Sequence, residues 1–178
     1  MERIKKMFIL LFGICFGILF SWYGLSAKLF VGAVFLILLG VVAGRDIKTF
    51  EIPNEYVLWI AILGIIAIFV FPEIRWTNRV AGIFCVSLIL LLITVIVPGS
   101  FGGGDIKLMA ACGAFLGGER CLIAFGIAVM LGGIWGIVLL ISGKKKAKES
   151  IAFGPFLCVG SAISFLCGEA LIRWYLGG

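Results

Sequence analysis

The sequence predicts an all-α fold, a polytopic membrane helical bundle of about seven transmembrane segments. It is expected to form a single integral-membrane unit over residues 1–178. Composition is the first observation behind this. The chain is 63% hydrophobic and 13% charged, with a mean hydropathy of +1.25, whereas a soluble domain is nearer half apolar and a quarter charged. Patterning is the second. The apolar residues gather into runs close to the roughly 20 residues that cross a bilayer. The third is punctuation, because prolines, glycines and basic residues fall in the gaps between runs. The net charge of +6 therefore reads as positive anchors at the membrane surface and not as a nucleic-acid footprint.

The elements follow in order. Arg3, Lys5 and Lys6 precede an apolar run, Met7–Tyr23. Its layout resembles a signal peptide, but it is long, it closes on Trp22 and Tyr23 like an interfacial belt, and Leu25–Ala27 makes a poor cleavage site. It is expected to be a retained first span. Leu25–Gly44 is the second span, and Arg45–Tyr56 a polar loop in which Pro53 suits the first turn of the next helix. Tyr56–Phe71 is the third span, ended by Pro72. Glu73–Asn78 is a turn with Trp76 as an interface anchor, and Arg79–Val97 is the fourth span. A glycine-rich stretch leads into Ile106–Gly117, Cys121–Ile141 is a full span, and Ile151–Leu176 is the last, broken near its start by Gly154-Pro155.

Ile106–Gly117 is short for a crossing, which leaves six spans if it is re-entrant. Charge argues for a crossing. With the N-terminus in the cytosol and this segment crossing, Arg3, Lys5, Lys6, Arg45, Lys48, Lys107 and the lysines at 144, 145, 146 and 148 share the cytosolic side. Lys28, Arg75, Arg79, Arg120 and Arg173 fall on the other. That is a positive-inside bias, and it puts Asp46 and Asp105 on one side, the cytosolic one. The lysine cluster is expected to face anionic lipid headgroups, worth about 1 kcal/mol per residue near the surface. The spacings Gly13/Gly17, Gly40/Gly44, Gly113/Gly117 and Gly132/Gly136 read as helix-packing surfaces.

Histidine does not occur in the chain, which removes Ser–His and Cys–His catalysis and most zinc sites. Six cysteines, none spaced C-x-x-C, read as small core hydrophobes. No metal or cofactor is expected. The informative residues are the only two aspartates, Asp46 and Asp105, each beside a glycine or a basic residue at the edge of an apolar run. An Asp at the centre of a spanning helix costs about 2.5–3.5 kcal/mol, so such groups call for a use. One use is structural. Asp105 would cap a helix starting at Ile106, and Asp46 would pair with Arg45 or Lys48. The other is chemical. Two adjacent carboxylates cannot both stay ionised cheaply, so one holds a proton and the other serves as base. Such a pair activates water and protonates a departing amine with no metal and no covalent intermediate. Gly102, Gly103 and Gly104, ahead of Asp105, would let a substrate backbone lie beside the acid. Two aspartates on one side, with that glycine run, favour the chemical reading.

The segment Gly102–Gly117, G-G-G-D-I-K-L-M-A-A-C-G-A-F-L-G, resembles the GxGD region of the prepilin peptidases, membrane aspartyl proteases that mature type IV pilins. Asp46–Asn54, D-I-K-T-F-E-I-P-N, is similar to that family's first-aspartate segment, and Ala152–Leu157, A-F-G-P-F-L, to a later signature. The three matches occur in family order.

The resemblance implies a peptidase that removes a short, basic, cytosolic leader from type IV prepilin-like precursors, with Asp46 and Asp105 as the catalytic pair in the cytoplasmic membrane. A coupled pair titrates as a unit, so it does not say which is base. It places Lys48, Pro53, Asn54, Lys107, Gly154 and Pro155 around the site. Lys48 and Lys107, each two residues after an aspartate, read first as ordinary interface anchors, the alternative being that they tune the aspartates or meet an acidic group on the substrate; Glu51 and Glu55 read first as a solvated loop, the alternative being that they attract a basic leader; and Gly154-Pro155 is expected to kink the last helix. Many bacterial relatives carry a zinc-binding domain with paired C-x-x-C motifs after the first span, associated with N-methylation. Here Ser21–Lys28 is a tight turn, so peptidase activity without methyltransferase activity is expected, as in the compact peptidases of tight-adherence pili or archaella. Two other functions compete: a small proton-coupled transporter using Asp46 and Asp105 as proton sites, and a non-enzymatic assembly subunit.

Overall fold

The computed structural model describes residues 2–142 and 152–176. Among them are seven helices: α1 (Glu2–Tyr23), α2 (Ala27–Thr49), α3 (Asn54–Val70), α4 (Trp76–Ile96), α5 (Gly103–Leu116), α6 (Gly118–Ile141) and α7 (Gly154–Leu176). The lysine cluster at 144–148 lies outside the described residues. By length and composition α2, α4 and α6 are each sufficient to cross a membrane. The outward faces are apolar along their length: Phe69, Ile96, Met130 and Ile141 are all exposed. Helices apolar on every side belong in lipid, with neighbours meeting by shape and not by exclusion of water.

α5 is the central helix, packed by α3, α4, α6 and α7. Its Leu108, Met109, Ala111, Cys112, Gly113, Phe115 and Leu116 are all buried. Its 14 residues rise about 21 Å. The chain enters α5 beside the start of α3, where Lys107 Nζ donates to Asn54 Oδ1 at 3.1 Å. It leaves beside the start of α4, where Gly118 N–H donates to Asn78 Oδ1 at 3.0 Å. It therefore passes from one end of the bundle to the other. Gly117 alone turns α5 into α6, with φ +81° and Ile74 Cγ2 at 3.0 Å from where a Cβ would stand. Both the backbone angle and the space demand glycine there.

At the end of the bundle away from the aspartates, four rings lock α2, α5 and α7 to the end of α3. Phe35 stacks on Phe115 at 4.0 Å between centroids, and Phe165 meets Phe35 and Phe115 edge-on at 5.6 and 5.4 Å. Phe71 packs on Phe115 at 5.8 Å. Arg79, read from the sequence as a surface charge, is 3% exposed. Its guanidinium donates to the carbonyls of Ala67 and Phe71 at the end of α3 and of Ala114 and Phe115 at the end of α5. The last turn of a helix leaves carbonyls unpaired and favours a cation, and one planar fork serves two such ends.

Several boundaries differ from the sequence reading. α2 runs on through Asp46 to Thr49, so the polar loop is only residues 50–53. Polar side chains in the last turn of a spanning helix need only reach the surface, and Arg45 and Lys48 are exposed. Pro53 is the N-cap of α3 and does not lie within its first turn. Gly154-Pro155 does not kink α7 but begins it, where a missing N–H is harmless. Of the glycine spacings, Gly113/Gly117 is a packing surface, with Gly113 against the backbone of Gly82. Gly132 packs on Phe153, while Gly13, Gly17 and Gly44 face open space. The described cysteines are free thiols, Cys112, Cys121 and Cys158 being buried.

Candidate active site

Asp46 and Asp105 reach the same place from different helices. Asp46 is in the last turn of α2 and Asp105 in the first turn of α5. They line one cavity of about 280 Å³ together with Phe50, Glu51, Ile52, Gly102, Gly103 and Gly104. They are only 5% and 8% exposed.

Each carboxylate is held on one side only. Asp105 occupies the third position of α5 and accepts the Gly102 backbone N–H on Oδ2 at 3.3 Å, a long bond that helps close the helix start. The helix begins at Gly103, so the expected cap of a helix starting at Ile106 does not form. Asp46 draws on the backbone N–H of Gly154, at the positive end of α7. Its Oδ2 is buried without a hydrogen-bond partner, and among the described residues it makes no ion pair with Arg45 or Lys48. A buried oxygen left unpaired is expensive, and function is one reason for it to persist.

The turn over the cavity is shaped by three residues. Phe50 ends α2 in the left-handed region at φ 54°, unusual for an aromatic side chain. Thr49 Oγ1 donates to the carbonyls of Arg45 and Glu51. Ile52 fills the space left by two glycines: a Cβ would stand 3.0 Å from Ile52 Cβ at position 104, and 3.1 Å from Ile52 Cδ1 at position 154. Phe50 and Ile52 were not singled out in the sequence. Neither carries a reactive group, and a left-handed Phe leaves no local signature.

The other expected site residues divide. Gly102, Gly103 and Gly104 line the cavity, and Gly154 touches Asp46. Lys107 engages Asn54 and lies outside the lining, as do Lys48, Pro53, Asn54 and Pro155.

Residues 33–137, which include both aspartates, match the model of the type IV leader peptidase family. The chain belongs to that family. Among leader peptidase relatives, the prepilin leader peptidase/N-methyltransferase of Bacillus subtilis is 32% identical over 154 residues, 86% of this chain and 62% of that protein. The protein of the same name from Legionella pneumophila is 28% identical over 163 residues, 88% of this chain and 57% of the other. That of Aeromonas salmonicida is 39% identical over 75 residues, 42% of this chain and 26% of the other. The chain thus spans about three-fifths of the length of the first two. No solved structure matches it.

Proposed function

We propose that this chain is a membrane aspartyl endopeptidase that removes a short basic leader from type IV prepilin-like precursors at the cytosolic face of the cytoplasmic membrane. Asp46 and Asp105 are its catalytic pair. The observation that carries this is their meeting: two aspartates 59 positions apart in sequence line one cavity, both nearly buried.

Burial and mutual repulsion disfavour the doubly ionised pair, so one proton is shared. The ionised member takes a proton from water held between the two, and the protonated member delivers one to the leaving amine. Gly103 meets no atom within 4 Å of a built Cβ, which leaves a clear lane for an extended backbone. Family membership and the relatives' printed activity support the substrate class. The basic residues flanking the aspartate end support its cytosolic side. The proposal covers cleavage alone, and needs no metal or cofactor.

The test is co-expression with candidate pilin precursors, scored by mobility shift. Asp46→Asn and Asp105→Asn should each lower cleavage by at least about 100-fold while the protein accumulates in membranes. Complete processing by either variant would refute the pair.

A further inference from the structure

We propose that Phe153 is a positioning residue for the aspartate pair, its ring braced against Phe101 so that the starts of α5 and α7 keep one spacing. The inference rests on the peptidase reading and deepens it. Its basis is where the two rings sit in the chain. Phe153 stands immediately before Gly154, where a Cβ would lie 2.6 Å from Asp46 Oδ2. Its carbonyl accepts the N–H of Phe156 at 3.0 Å and that of Leu157 at 3.2 Å, so α7 begins wherever Phe153 is held. Phe101 stands immediately before Gly102. The Gly102 N–H donates to Asp105 Oδ2, and its carbonyl accepts the Asp105 N–H at 3.1 Å. The rings of Phe101 and Phe153 meet edge-on, with 5.1 Å between centroids. One aromatic contact therefore joins the two stretches of backbone that fix the two carboxylates.

The brace is anchored on a third helix. Gly132 of α6 leaves a slot for the Phe153 ring: a Cβ there would stand 2.8 Å from its Cε2 and 3.3 Å from its Cδ2. Phe156 adds a further ring at 6.1 Å from that of Phe153. The link from α4 offers no other hold. Residues 97–100 are all exposed, and Phe101 is the first after them to pack on the core. Close-packed rings have few alternative arrangements, so the spacing they set is firm. Neither Phe101 nor Phe153 is among the residues that line the cavity. They act on the reaction through Gly102 and Gly154 and not by touching the substrate. Ile52 meets the same two helix starts from the cavity wall, against Gly104 and Gly154.

The test gives the full chain in detergent a panel of candidate pilin precursors, with rates counted per folded molecule from thermal unfolding. Phe153→Leu removes the ring contact and keeps an apolar side chain. Its kcat should fall about tenfold with KM within about twofold, because a small displacement of reacting groups is enough. Phe153→Tyr keeps the ring and should restore most of the rate. Gly132→Ala suits α6 as a helix yet fills the slot, and should lower kcat to a similar degree. Phe101→Leu combined with Phe153→Leu should lose no more than the worse single change, since both break one contact. Gly132→Ala leaves both rings in place, which keeps the test valid if the ring variants fail to fold. Unchanged kcat in Phe153→Leu overturns the brace alone. So do losses that multiply in the double variant, which make the rings independent, and a loss carried by KM, which makes them a substrate contact. A wild type that cleaves none of the precursors overturns the peptidase reading and the inference with it.

Discussion

Gly154 leaves just enough room for Asp46. A Cβ built on residue 154 would stand 2.6 Å from Asp46 Oδ2 and 3.0 Å from its Cγ. The carboxylate would have to turn away, while α7 would not suffer, because alanine favours a helix more than glycine does. Gly154→Ala is therefore expected to reduce cleavage at least about tenfold, since a misplacement near 1 Å can cost about 100-fold. Its melting temperature in detergent should stay level or rise. Full activity in this variant would mean that the observed place of Asp46 is not the working one.

The glycines before Asp105 have different duties and should fail differently. At position 104 a Cβ meets Ile52 Cβ at 3.0 Å and Cγ1 at 3.4 Å, so Gly104→Ala lifts the turn that roofs the cavity. Adding Ile52→Ala should recover part of the loss, a coupling that two independent sites would not show. Position 103 has open space. There Gly103→Ala should leave the melting temperature alone and raise KM, because the methyl group stands in the substrate's lane. Steady-state kinetics on the variants would separate the two duties, and identical behaviour at 103 and 104 would count against this division.

Much of this was legible in the sequence, for physical reasons. The spans were visible because lipid forces each into a long apolar run. Asp46 and Asp105 stood out because a carboxylate at a membrane edge is costly. Three things were hidden. The end of α2 was obscured because Arg45, Asp46 and Lys48 look like a loop, though a helix tolerates polar residues once it reaches the surface. Arg79 reads as another surface cation until the carbonyl ends of α3 and α5 are found around it. The place of Ile52 in the roof depends on Gly104 and Gly154, far along the chain, which no local pattern records.

Gly113 and Gly82 join α5 to α4 backbone to backbone; a Cβ on either would run into the carbonyl of the other. Rigid backbone cannot give way as a side-chain tip can. Gly113→Ala should therefore push α5 from α4, lowering stability by about 1–3 kcal/mol and activity along with it, because α5 carries Asp105. The comparison with Gly154→Ala is the useful one: one variant should lose activity with stability intact, the other both together. Thermal unfolding and cleavage measured on the same preparations would show this.

Arg79 is far from the cavity yet fixes the helix that bears Asp105. Its Nη1 donates to Phe115 O at 2.7 Å and Ala114 O at 3.1 Å, and its Nη2 to Ala67 O at 2.8 Å and Phe71 O at 3.0 Å. Arg79→Met keeps much of the bulk and removes all four bonds, leaving buried carbonyls short of donors. A hydrogen bond to a charged group contributes about 1.5–3 kcal/mol, so a loss of about 3 kcal/mol is a conservative expectation. Arg79→Lys retains the charge but cannot span both helix ends from one compact ammonium, and should recover less than half of the loss. Unfolding in detergent would give the order wild type, then lysine, then methionine. If lysine matched arginine, charge at the helix ends and not the forked geometry would be what holds α3 to α5.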